Sequence, residues 1–345
     1  MSTLRAIAAV TLFVCASTNI SAQETALRWE FKKDRPFFLE ITTDTTQAMK
    51  VIGVDVTQQQ SQTFIYKWTL MERHKNKNWI VVQKVEAVKL EINIAGNKIV
   101  YDSSRGTETP RNAVAGFFKE LVGSEYRFTI SPEMKVLKVA GRDEFLAKLA
   151  KAQPGNRAEP SPILIDELLE QSAQQLLDMV PSKCVSNGDS WERKHYLNMV
   201  PIGAFETTSK YTYLGKQGKF NLIQVKTSLV HQPAGAEAQS SSPFKIKKAE
   251  LRSQPGTGTI LFDSQKCRLE SSTFSVTAVG KLAIDIGGTI SEVDFDQTQI
   301  TSIRVFDQAP SETCLKTCRE TLASRTRTCA RCLLPRLLRC GQRGR

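Results

Sequence analysis

The sequence predicts an α+β protein, mainly antiparallel curved β-sheet with about three helices in mid-chain. Apolar residues recur at period two over long stretches at both ends of the body, whereas helical spacing appears only between about residues 109 and 180. Short polar clusters of turn type separate the alternating runs, as in hairpins.

From Leu27 to Ile94 the chain alternates. Phe64, Tyr66, Trp68 and Leu70 fall on one face and Ile65, Lys67 and Thr69 on the other, the pattern of a half-buried strand. The cluster "HKNKNW" then turns the chain into Trp79-Ile80-Val81-Val82, followed by Val88, Leu90, Ile92 and Ile94 at period two. "TPRNAVAGFFKELVGS" reads as a helix. Thr109 caps it, Pro110 takes the first position, Gly123 lies past its end, and Val114, Phe117, Phe118 and Leu121 recur at helical spacing. Strands through Tyr126, Phe128 and Ile130 and from Val136 to Val139 precede a second helix from Asp143. A third helix runs from Ser161-Pro162 to Val180, and "AQPGNRAEPSP" links the two. After Trp191 alternation resumes through Tyr211 and Tyr213, then Ile223, Val225, Thr227 and Leu229. Past the loop "HQPAGAEAQSSSP", Phe274, Val276, Ala278, Leu282, Ile284 and Ile286 hold one face in register. The chain divides accordingly into an export signal at 1–22, a β-rich unit at 23–141, a helical connector at 142–182, a second β-rich unit at 183–310 and a tail at 311–345.

The export signal is read from "MSTLRAIAAVTLFVCASTNISAQE": one early charge at Arg5, an apolar run from Ala6 to Ala16, and small residues ending in Ser21-Ala22. The run is shorter than the roughly 20 residues that span a bilayer, so cleavage after Ala22 is expected. At the other end, residues 311–345 hold eight Arg and one Lys against two Glu, a net +7 of the chain's +12, which leaves an ordinary +5 on the other 310 residues. Cys314, Cys318, Cys329, Cys332 and Cys340 crowd into this tail at a spacing close to a four-thiolate zinc site. Export favours an oxidising compartment in which such thiols pair, and the tail has no aromatic residue to stack on a base. It reads best as an extension outside the fold, with a disulfide-tied form as the alternative. Neither a metal nor a nucleic-acid partner is assigned.

The motifs that could carry chemistry dissolve on inspection. Asp102-Ser103 and Asp263-Ser264 resemble the paired carboxylates of aspartic proteases, but Ser104 and Gln265 stand where a glycine would follow, and Asp-Ser turns closing strands account for both. "DIGGT", Asp285 to Thr289, is similar to a phosphate motif of sugar kinases; a hairpin turn at Gly287-Gly288 explains it better. His74, His195 and His231 each stand alone as surface or strand residues, and no serine sits in a nucleophile elbow. Cys184 and Cys267 lack a flanking nucleophile pattern and are candidates for one structural disulfide. Trp29, Trp68, Trp79 and Trp191 read as core anchors. No catalytic, cofactor-binding or metal residue is assigned, and no cofactor.

Across residues 25–306, "QAMKVIG", "NKIVYDS", "YRFTISPEMKVLKVAG", "YTYLG" and "GTILFDSQKCRLESS" resemble exported bacterial proteins of a family of unknown function. One turn departs, since glycine is expected where Glu133-Met134 stand. The resemblance implies the bacterial envelope, that is periplasm or extracellular space, and implies no activity. A curved sheet closed by helices is also similar in architecture to the bacterial lipoprotein-carrier fold, so a lipid or other apolar small molecule is the first functional expectation, with peripheral membrane contact. A structural or protein-interaction module of the envelope is the alternative, and a hydrolase a further one; a non-enzymatic role is favoured. An apolar cavity, an exposed apolar patch or sheet edge, and carboxylates converging in a polar cleft would distinguish the three. The oligomeric state is left open.

Overall fold

A computed structural model describes residues 24–51, 53–105, 113–152, 162–199, 203–233, 245–286 and 288–310. The expected export signal and the 311–345 tail lie outside these residues, as do Thr109, Pro110 and Gly287.

The alternating runs form strands, in antiparallel pairs throughout. β1 (Phe37–Val51), β2 (Val54–Arg73), β3 (Trp79–Ile94) and β4 (Asn97–Asp102) precede helix α1 (Ala113–Leu121), strands β5 (Glu125–Ile130) and β6 (Val136–Ala140), and helices α2 (Arg142–Ala152) and α3 (Pro162–Leu177). The second run comprises β7 (Ser190–Met199), β8 (Gly203–Gln217), β9 (Phe220–Pro233), β10 (Lys245–Gln254), β11 (Gly256–Asp263), β12 (Arg268–Ile286) and β13 (Thr289–Phe306). All belong to one curved sheet of order β6-β5-β3-β2-β1-β13-β12-β10-β9-β8-β7, with β4 paired to β3 and β11 lying between β12 and β9. The last strand returns to the first, from Phe38 opposite Phe306 to Val51 opposite Val293. The two β-rich stretches therefore share one hydrogen-bonded surface.

Period two sets which face is buried. Phe64, Tyr66, Trp68 and Leu70 face the main apolar core, as their spacing predicts. Strands from both ends of the sheet order supply that same core, with Val81, Phe128 and Ile130 from one arm and Tyr213, Ile223 and Phe262 from the other. A strap before β1 ties the arms together. Thr25 pairs with Val185, the Glu30 N–H donates to the Cys267 carbonyl at 2.9 Å, and Leu27, Trp29 and Phe31 are buried between them. Trp29 stacks on Phe31 and Phe37, each at 6.4 Å between ring centroids, and meets Phe262 edge-on at 6.2 Å. Phe31 continues the stack to Trp68 and Trp68 to Phe128, both at 5.9 Å. Trp29, Trp68 and Trp79 are thus core anchors, and Trp191 stacks on Tyr211 at 5.5 Å.

The turns follow their sequence signals. Ile286 faces Thr289 across a two-residue hairpin, where Gly288 has φ +89° and donates its N–H to Asp285 Oδ1 at 2.9 Å. Asp102 accepts from the N–H and hydroxyl of Ser104, and Asp263 from the N–H groups of Gln265 and Lys266, so both Asp-Ser pairs close turns. In the Glu133-Met134 turn, Met134 has φ +63°, the left-handed region that glycine enters without cost. That conformation explains why glycine is expected there. Ser131 and Gln174 hold the turn from outside.

Helix α3 lies against both β6 and β7, the two edges of the sheet. On the β6 side, Gln174 Oε1 accepts the Val136 N–H at 2.9 Å and its Nε2 donates to the Met134 carbonyl at 3.1 Å, occupying backbone groups that an edge leaves open. On the β7 side, Asp178 pairs with Arg193 at 3.6 Å. Among the described residues no helix is long and apolar enough to cross a membrane.

Candidate functional site

Beneath the C-terminal turn of α3, the sheet and helix line a partly open cavity of about 210 Å³. Four strands supply its apolar wall through Phe205, Val225, Ile260, Phe274 and Val276, and Met179 closes it from above. Local irregularities set this wall. In β12 the partners skip from Leu269 to Ser271 across β11, leaving Glu270 as an extra residue. The bulge lets Leu269 and Ser272 both turn inward, although three residues apart they would otherwise face opposite sides. Gly256 and Gly258 let β11 lie hard against β12, since a Cβ at Gly258 would stand 2.4 Å from the Thr273 carbonyl oxygen and 2.6 Å from Phe274 Cβ. Phe274 is thereby held at the cavity.

The rest of the lining adds the apolar Leu229, Ala278 and Phe295 and a set of polar, uncharged side chains. Among the latter are Thr207, Thr227, Gln297 and Gln299, together with His195 and Ser272. His195 Nε2 and Ser272 Oγ are buried with no hydrogen-bond partner, at sites where burying a polar group unpaired costs about 1–3 kcal/mol. His195 stands 3.9 Å from Asp178 Oδ2, too far for a hydrogen bond. Asp178 is itself engaged by Gln174 Nε2 at 2.9 Å and by Lys135 and Arg193 at 3.6 Å each. Burial pushes the His195 imidazole below its ordinary value; Asp178 opposes this, and Lys135 and Arg193 reinforce it. Burial also pushes the Tyr211 hydroxyl up to about 12, so it stays a neutral wall group.

The lowered imidazole has a consequence for stability. A group whose folded value is depressed takes up its proton more readily in the unfolded chain, so its contribution is complete above the unfolded value, about 6.5, and is lost as pH falls through the folded one. Melting temperature is expected to drop as pH falls below about 6.5, and His195→Gln is expected to flatten that slope. Identical profiles for the two proteins would remove His195 as the cause.

The family relation becomes informative at this point. The model of a family of unknown function, DUF6263, matches residues 76–267, from the turn before β3 to the start of β12, more than half the chain. The chain belongs to that family. The DUF6263 match takes in α3, β7, β8, β9 and β11, while β12 with Ser272, Phe274, Val276 and Ala278 and β13 with Phe295, Gln297 and Gln299 fall beyond it. Among curated proteins, nothing matches the chain. Of solved structures, lipovitellin, in a study of lipid–protein interactions, is similar at 10% identity and TM-score 0.43, covering 82% of this chain and 26% of that one. The chain thus spans about a quarter of lipovitellin's length. OprG, an outer membrane protein of Pseudomonas aeruginosa, is similar at 9% identity and TM-score 0.17, covering 80% and 98%. A DUF1329 family protein from Desulfovibrio piger gives 9% and 0.14, covering 79% and 88%. Likeness at these scores defines neither fold nor ligand for the DUF6263 chain.

Among the described residues, neither the Asp-Ser pairs nor Cys184 and Cys267 line the cavity; of the candidates weighed in the sequence, His195 does. Asp102 and Asp263 lie on strands in different arms of the sheet, each engaged in its own turn. Cys184 and Cys267 are free thiols, the first exposed and the second half-buried. Among the described residues, no three His, Cys, Asp or Glu side chains are grouped to hold a metal. His74 pairs with Glu72 at 2.9 Å and His231 packs on Phe205 at 5.0 Å. His195 is the residue whose importance sequence reasoning missed. Its only signal was a place in a run that alternates with Trp191 and Arg193, and that pattern does not mark an inward-facing polar residue as special.

Proposed function

We propose that this DUF6263 protein is an exported binding protein of the bacterial envelope that holds a lipid or other apolar ligand in the cavity beneath α3. The observation that carries the reading is the partly open, mostly apolar cavity in which His195 Nε2 and Ser272 Oγ are left without partners. Ligand sites combine these two properties: apolar surface for affinity and a few placed polar groups for orientation. A second feature supports it. An open groove of about 680 Å³ runs along the strand tips past Met49, Val56 and Lys281, and Phe295 lines both groove and cavity. The two adjoin at Phe295, which a guest longer than the cavity would have to pass. The proposed location, periplasm or extracellular space, rests on the N-terminal stretch around Arg5 and Ser21-Ala22.

The test is native mass spectrometry of the untagged protein from its own cells, followed by denatured mass on the same sample. Excess mass that vanishes on denaturation is the expected result, and its value names the ligand class. A bare native mass favours the envelope interaction module instead. That alternative draws on exposed apolar side chains at the hairpin ends, where Val54 is 63% and Ile290 61% exposed.

A further inference from the structure

The cavity wall carries more information than its apolar character, and the inference that follows rests on the binding reading above. Its described polar lining consists of hydroxyls, carboxamides and one imidazole, and no described lining residue bears a formal charge. The nearest charged cluster, Asp178 with Lys135 and Arg193, is already internally paired. Ser272 is 3% exposed and the His195 side chain 10%, so both unpartnered atoms sit where a charged guest would lose its hydration without a counter-ion. A hydroxyl, carbonyl or amide would meet them at far lower cost, because a neutral hydrogen bond is all they require.

We infer that the ligand is an uncharged amphiphile, an apolar body bearing a hydroxyl, carbonyl or amide that pairs with Ser272 Oγ and His195 Nε2. A carboxylate or phosphate group is excluded from the cavity itself. Size narrows the class further. An apolar cavity of about 150 Å³ accepts benzene, so the 210 Å³ here accommodates about eight non-hydrogen atoms on the same scale. That is a medium-chain segment, with any longer chain passing Phe295 into the groove.

The test compares 1-octanol, octanoate and octane by calorimetric titration into the full-length protein at pH 7.5, where octanoate is ionised. Octanol is expected to bind at least tenfold more tightly than octanoate. Ser272→Ala is expected to weaken octanol three- to tenfold and leave octane unchanged, which separates a lost hydrogen bond from a disturbed fold. Octanoate binding as tightly as octanol overturns the inference while leaving an apolar binding protein standing. Failure of all three ligands overturns the binding reading and the inference together. Equal weakening of octanol and octane in the serine variant removes Ser272 from the contact and overturns its part in the inference.

Discussion

Replacing Trp29 by alanine is expected to lower the free energy of unfolding by about 3–5 kcal/mol, the range for truncating a buried tryptophan. The residue is 3% exposed, in ring contact with Phe31 and Phe37 and edge-on to Phe262, so its loss empties the point where the two arms of the sheet share a core. The surrounding rings are held by the strap and the strands, and they have little freedom to collapse into the void. Trp29→Phe is expected to cost far less: it keeps an aromatic surface and removes an indole N–H that has no partner here. Chemical denaturation of the three proteins measures both effects. A loss below about 1 kcal/mol for the alanine variant would mean that the strap does not join the arms as described.

The second large effect concerns binding. Ala278 lines the cavity on β12, beside Gln297 on β13. A phenylalanine at 278 places a ring in the space proposed for the guest, and the cavity of about 210 Å³ has room for it, since about 150 Å³ suffices for benzene. Ala278→Phe is therefore expected to abolish ligand binding, a loss of about 100-fold or more, equivalent to about 2.7 kcal/mol, with stability kept or slightly raised. Binding and stability thus move independently, which a general disturbance of the fold cannot produce. Titration of the octanol complex alongside thermal unfolding reads the two. Full affinity in the filled variant would place the guest elsewhere, with the groove past Met49 and Lys281 the next candidate.

Polar residues explain why the fold could be read from the sequence while the site could not. Turn residues and period-two alternation are local signals, and β2, β3, β12 and the hairpin at Gly288 obey them. The inward face of the sheet also carries Gln297 and Gln299 on β13 and Ser272 on β12, residue types that a simple alternation rule assigns to solvent. The bulge at Glu270 then changes the phase of β12, so that counting from Leu269 points Ser272 the wrong way. Edge protection was equally hidden. The part played by Gln174 depends on Met134 and Val136, about 40 residues away in the chain, and nothing next to Gln174 announces it.

By itself the sequence determined the antiparallel strands, the three helices between them, the turn role of both Asp-Ser pairs and the core role of Trp29, Trp68 and Trp79. Each follows from side-chain chemistry and spacing within a few neighbouring residues. Only the tertiary structure decided that both arms form one sheet through β1 and β13, that α3 bridges its two edges, and that an uncharged cavity forms beneath that helix around His195 and Ser272. The physical reason is range. Alternation specifies two faces for each strand, but which polar residues are buried is settled by contacts between distant segments. The ion pair of Glu40 with Arg304, 264 residues apart on paired strands, is one such contact.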